Sequence, residues 1–227
     1  MNASTMLRVT AARDVLAWLV GLFVAPARPT DEPAGAVKEY FTQHDGAALT
    51  QSLLVHGVAG VALAAFAWSL SRLADRSSGA VLSLGVAAAA LSLIQVAILV
   101  SVATRTGSVS AATIDQRVGW IDTVDTAKLV ALAAFALVGS MAAVASGLAR
   151  GWLVPFAVVL AVLLVGGGIS LLASSSLLTG ALYLSLPLLL IWVGVLGVTA
   201  TRDAPRATVS VSANDETSRQ DEPMQSS

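Results

Sequence analysis

Four stretches of this chain contain no Asp, Glu, Lys or Arg: residues 46–71, 77–104, 129–149 and 151–201. Each exceeds the roughly 20 residues that a helix rising about 1.5 Å per residue needs to cross about 30 Å of hydrocarbon. The last, as one helix, would run to roughly 75 Å, far more than one crossing. Polar Ser174, Ser175 and Ser176, followed by Thr179 and Gly180, divide it in two. The expected spans are therefore about 51–73, 79–103, 126–148, 152–173 and 180–200. Composition agrees: of 227 residues, 56% are hydrophobic and 12% charged, against about 25% charged in soluble domains. That leaves too few polar groups to coat a water-facing surface, and lipid tails take their place. The fold class is all-α, a polytopic transmembrane helix bundle of about six spans, five well marked and the first one short.

The short one is the apolar run 15–25, which Arg13 and Asp14 directly precede. Three readings fit it. It is a span whose N-terminal turns include an Arg13 that reaches back to the headgroups. It is a signal peptide, since Arg8 and Arg13 precede an apolar core ending in Ala25-Pro26-Ala27. Or it is an interfacial helix that never crosses. The span reading divides the chain into a cytoplasmic N-terminus (1–13), a helix bundle (14–202) with outer segments at 28–50 and 104–125, and a tail (203–227). The tail is rich in Ser, Thr, Asp and Glu without apolar periodicity, the signature of disorder.

Lysine and arginine near span ends set orientation. With six spans and the N-terminus inside, the cytoplasmic side holds Arg8, Arg13, Arg72, Arg76, Arg150, Arg202, Arg206 and Arg219, and the outer side Arg28, Lys38, Arg105, Arg117 and Lys128. The chain is expected in the plasma membrane, multi-pass, with both termini cytoplasmic. In the first outer segment Val37, Tyr40, Phe41 and His44 fall on one helical face. That helix is expected to stop at the turn signal Asp45-Gly46 and to lie on the membrane or the bundle mouth. The second outer segment starts polar and becomes helical into Trp120.

Several of these segments look alike elsewhere: AVKEYFTQHDGAAL (36–49), FAWSLSRLADR (66–76), DTVDTAKLVALAAFAL (122–137) and LPLLLIWVGVLGVTATR (186–202). Taken together over residues 10–202, they resemble a large group of uncharacterised six-span membrane proteins common in actinobacteria. The first span here is shorter and more charged than in that group. The resemblance implies topology and nothing catalytic.

Chemistry is sought where polar groups enter spans, because each is costly there unless paired or wet. His56, Gln95, Lys128 (with Asp122 and Asp125 before it) and Tyr183 all fall near one depth, at the outer mouth. They form a candidate outward-facing pocket in which His56 and Asp125 exchange a proton. The plainer reading makes Gln95 and His56 interhelical hydrogen bonds and Asp125–Lys128 a surface pair worth a few tenths of a kcal/mol. A metal at His44, Asp45 and His56 lacks ligand spacing. The net charge of −1 argues against nucleic acid, and the absence of cysteine excludes thiolate chemistry. Gly166-Gly167-Gly168 has neither the preceding strand nor the lysine of a phosphate loop and is expected to pack helices closely. Pro187 is expected to kink the last helix.

No catalytic motif or cofactor is expected. The sequence alone favours a non-catalytic scaffold or partner of another membrane component, in contact with the bilayer and either a membrane-protein partner or further copies of itself. A small-molecule transporter or ligand sensor using the outer pocket is the alternative. A lipid-directed enzyme would rest on Asp115, Asp122 and Asp125 alone, with nothing to activate them.

Overall fold

The computed structural model describes residues 2–26, 33–74, 77–173 and 176–199, and the side chains of all of these but 176 and 177. The proposed tail, 203–227, lies outside them. The described residues are helical with no strand: α1 (Ala3–Leu22), α2 (Ala34–Ser52), a π-helical segment (Leu53–Val58), α3 (Ala59–Leu73), α4 (Ser78–Ala103), α5 (Ala111–Ala145), α6 (Leu153–Ser170) and α7 (Ser176–Thr199). Five continuous helices are long and apolar enough to cross a membrane: Ala34–Leu73, Ser78–Ala103, Ala111–Ala145, Leu153–Ser170 and Leu178–Thr199. The fold is an all-α polytopic bundle.

The helices are arranged as a ring. Each of α3 to α7 packs against the next, and α1 closes the circle by packing against both α3 and α7. The buried residues of α1 (Leu7, Ala11, Asp14, Ala17 and Gly21) recur every three or four positions along its whole length, one helical face. At one end of α1, Gly21 lies directly against Val55 of the π segment. Along its N-terminal half, a Cβ on Gly197 of α7 would fall 2.6 Å from Ala11 Cβ and 3.8 Å from Arg8 Cα. So α1 traverses the bundle, and its other face exposes Leu16, Leu19 and Val20. The same outward apolar surface continues through Val61, Val86, Val162 and Ile191, far more than a water-facing protein leaves uncovered. Helix α1 is not one of those five, and Arg8, Arg13 and Asp14 lie within its 20 residues.

Three aromatic rings hold the core. Phe66 (α3), Phe135 (α5) and Trp192 (α7) meet edge to face at centroid distances of 6.3, 6.0 and 5.4 Å, and all three are fully buried. Trp192 Nε1 donates to Ser140 Oγ at 2.8 Å, which satisfies the one polar atom the indole brings into the core. Glycines admit these rings and bring backbones together. Gly85 of α4 rests on Ala67 and Phe135, and Gly139 of α5 lies under Trp192. The glycine triplet acts as expected: a Cβ on Gly167 would meet Leu182 Cα at 2.8 Å, and Gly168 O accepts from Thr126 Oγ1 at 2.9 Å. Pro187 sits inside the continuous α7.

One expectation about the outer segments is corrected. The helix beginning at Ala34 does not stop at Asp45-Gly46 but continues through α3 as a single 40-residue rod. The turn signal instead produces a kink, with His44 at φ −128° and ψ 24°, and Asp45 Oδ1 accepts from Gly46 N at 2.6 Å as the helix resumes. Packing overrides the stop: Val37, Tyr40, Phe41 and Ala48 bury against Val102, Ile114 and Val118 in a second apolar cluster. The second segment becomes helical into Trp120, as expected, after a turn at 104–110. It runs from an N-cap at Ser110, whose side chain accepts from Thr113 N, straight into the span expected at 126–148. Helix α5 is thus 35 residues long, roughly 52 Å, and its first turns stand with α2 as a cap over one end of the ring. It ends at Gly147, whose φ of +70° allows Leu148 N to close back on Ala143 O at 2.8 Å.

The close approach at Gly85 gives a direct test. Gly85→Leu should destabilise the detergent-solubilised protein by about 1–3 kcal/mol, because the added atoms meet Ala67 and Phe135. Gly79→Ala, with nothing within 4 Å of the added Cβ, should leave thermal unfolding unchanged or slightly raised. Equal melting temperatures for wild type and Gly85→Leu would contradict this packing.

Candidate functional site

Beneath the cap, the helices bring a lysine into the bundle. Lys128 on α5 is 4% exposed, and its three ammonium protons all have acceptors. Nζ donates to Gln95 Oε1 of α4 at 2.7 Å and to His56 Nδ1 of the π segment at 3.3 Å, and it pairs with Asp125 Oδ1, one turn earlier on α5, at 2.5 Å. An ammonium has three donors and no acceptor, so this set saturates it. The histidine acceptor is neutral and unprotonated at Nδ1, which leaves its proton on Nε2.

Local backbone explains how His56 arrives there. Residues Leu53–Val58 form a wider π turn within the rod, a device that shifts the following side chains around the helix axis and recurs at functional sites. Gly60, one α-turn on, lets α4 approach, with Ser92 Cβ 3.0 Å from where its own Cβ would stand.

The cluster forms one wall of a cavity of about 270 Å³ below the cap, near the lower edge of the roughly 300–1,000 Å³ typical of small-molecule sites. Its apolar lining includes Trp18 of α1, Tyr40 and Phe41 of α2, and Leu99 of α4, while Gln51, Ser52, His56, Gln95, Asp122 and Asp125 supply the polar lining. Tyr40 stacks on His44 with centroids 5.2 Å apart, and its hydroxyl donates to Pro26 O at 2.9 Å, which ties the cap to the end of α1. Two buried polar atoms on residues that line this cavity stay unmet among the described residues: Ser52 Oγ and Gln95 Nε2, each on a residue at most 5% exposed. The Asp125 carboxylate lies near the Gln95 amide without completing a hydrogen bond to it. Ser52 is conspicuous because Thr10, Thr50, Ser69 and Ser92 all turn their hydroxyls back onto a carbonyl four residues earlier. A buried hydroxyl or amide without a partner costs about 1–3 kcal/mol.

Of the six residues expected at the outer mouth, five come together. His56, Gln95, Asp125 and Lys128 are in mutual contact, and Asp122 lines the same cavity. Tyr183 does not join them: it lies in the third turn of α7, not the first, and is 71% exposed. Helix α7 begins earlier than its apolar run, at Ser176, and packs with Tyr183 on its exposed side. The surface-pair reading of Asp125–Lys128 is also corrected, since Lys128 is buried. Sequence reasoning missed Ser52, Trp18 and Asp14. Ser52 carries no signal among the many helical serines. Asp14 was read as the flank of a short span, whereas α1 starts at Ala3 and buries it. Among the described residues, no group of three His, Cys, Asp or Glu could hold a metal ion.

No protein-family model, curated protein or solved structure matches the chain.

The saturation of Lys128 sets an expectation. Lys128→Met should lower stability by about 3–5 kcal/mol, because it strands a buried carboxylate. Lys128→Met combined with Asp125→Leu should recover much of that loss, a non-additivity that thermal unfolding in detergent would read. Additive losses in the double variant would mean that the two groups do not interact.

Proposed function

We propose that this integral membrane protein admits a small organic ligand to the cavity beneath its cap, as a transporter or a ligand sensor. The ligand has an apolar body and a hydrogen-bonding, positively charged head. The observation that carries this reading is the pair of unmet buried atoms, Ser52 Oγ and Gln95 Nε2, in a cavity lined by Trp18, Tyr40 and Phe41. A bundle that served only as a scaffold would gain stability by filling that space and pairing those groups. Aromatic faces and the Asp125 carboxylate favour a cationic head, and Ser52 with the Gln95 amide offers hydrogen bonds to an acceptor on the same molecule.

The topology that goes with it has six spans, α1 being the first, in the plasma membrane. The capped end faces outward and both termini are cytoplasmic. Support comes from α1's passage through the ring and from the arginines: Arg8, Arg72 and Arg150 lie at the end opposite the cap. Arg72 stands 5.8 Å over the ring of Trp68, an aromatic 44% exposed, as expected at a membrane interface.

The chain contains no cysteine, so single introduced thiols report cleanly. On intact cells, a membrane-impermeant cationic thiosulfonate should modify Ser52→Cys. Ser140→Cys, set in the aromatic core, should stay unmodified. If Ser52→Cys proves as inert as Ser140→Cys, the cavity is closed and the ligand reading fails. If it reacts only after permeabilisation, the orientation is reversed.

A further inference from the structure

A second carboxylate lies on the far side of the lysine. Asp14, in the middle of α1, is 6% exposed and makes no hydrogen bond or ion pair with the described residues. It lines a small chamber of about 30 Å³ together with Lys128, enough for one water. No other charged or titratable side chain faces this chamber. The π segment contributes Val55, α3 Gly60 and Leu63, α4 Ser92, and α7 Leu189 and Val193, while α2 contributes nothing. Arg13, the next residue of α1, is exposed and lines a groove on another side. The chamber and the larger cavity share a wall at Trp18 and Val55.

The charges inside the bundle do not balance as drawn. Lys128 brings one positive charge, pairs with Asp125 and lines a chamber with Asp14, while His56 accepts from the lysine and is neutral. Two carboxylates around one ammonium in an apolar interior leave an uncompensated negative charge, which such an interior does not hold. Asp125 already has the ammonium at 2.5 Å. The remaining carboxyl, Asp14, therefore carries a proton.

We propose that Asp14 is a proton-binding site coupled to the outer cavity through Lys128. This rests on the ligand reading given above. When a cationic head enters the cavity and pairs with Asp125, Lys128 no longer has its counter-ion to itself and turns across the chamber toward Asp14. The Asp14 O–H bond then breaks, its electron pair stays on the carboxylate, and the proton passes by way of the chamber water toward the outer cavity. One positive charge enters as one leaves, so the interior stays neutral before and after. The cavity thereby exchanges an organic cation for a proton.

The test uses the full-length protein in lipid nanodiscs and follows the C=O stretch of protonated carboxylic acids by infrared difference spectroscopy between two pH values. Wild type should show such a band and Asp14→Asn should lack it. Asp14→Glu should keep it at a shifted frequency, which secures the assignment should Asp14→Asn fail to fold. Ser52→Cys is then modified either with a trimethylammonium thiosulfonate or with a neutral methyl thiosulfonate. The tethered cation should weaken the band at fixed pH, equivalent to about tenfold lower proton affinity, and the neutral adduct should not. A spectrum unchanged by both Asp14 substitutions overturns the proton site. Equal effects of the cationic and neutral adducts overturn the coupling. A Ser52→Cys that neither reagent modifies overturns the ligand cavity itself, and is told apart because the unmodified protein still reports on Asp14.

Discussion

An ammonium held between apolar helices must have its charge met and all three of its protons placed, and Lys128 does both with groups from different segments. Gln95 fixes the height of α4 against α5, and His56 fixes the rotation of the rod that begins in the cap. Translating α4 by one residue, about 1.5 Å, would break the 2.7 Å contact to Gln95. Dispersion between helices tolerates small slides because lipid and side chain are equally apolar. The polar contacts do not, and they set the register that the aromatic core then fills.

The same logic accounts for the π segment. A regular helix through Leu53–Val58 would turn the residues around it by a different angle and would set His56 elsewhere. The chain has no proline there, so the irregularity answers a tertiary demand. The kink at His44 is a second adjustment of the same rod, and between them the cap face and the membrane face are aimed independently. Tyr40, Phe41 and Ser52 reach one cavity only because both adjustments are present.

Much of the architecture was legible in the sequence because bilayer crossing depends on two quantities a sequence displays, the length of an apolar run and the absence of charge. The break near Ser174–Ser176, the close packing at Gly167 and the shared depth of His56, Gln95 and Lys128 follow from such counting. The continuity of α2 with α3 was not legible, since Asp45-Gly46 carries a local stop preference that burial of Val37, Tyr40 and Phe41 outweighs. Nor was the burial of Asp14, because hydropathy averages a charged residue with its neighbours and cannot report which way it points. Tyr183 shows the converse. Depth along a helix can be counted, but the side a residue faces depends on how the helix packs, and Tyr183 falls on the exposed side of α7.

The closure of the ring has a consequence for how the protein is made. Helix α1 leaves the ribosome first, yet one of its two neighbours in the ring is α7, the last. Through most of synthesis its buried stripe has only the π segment and α3 to rest on, and the side that will meet Gly197 stays open. Asp14 waits for Leu189 and Val193 to cover it, and Lys128 arrives only with α5. Of these helices the first made is thus the last to be completed, and the carboxyl at its centre gains its surroundings only when α7 is in place.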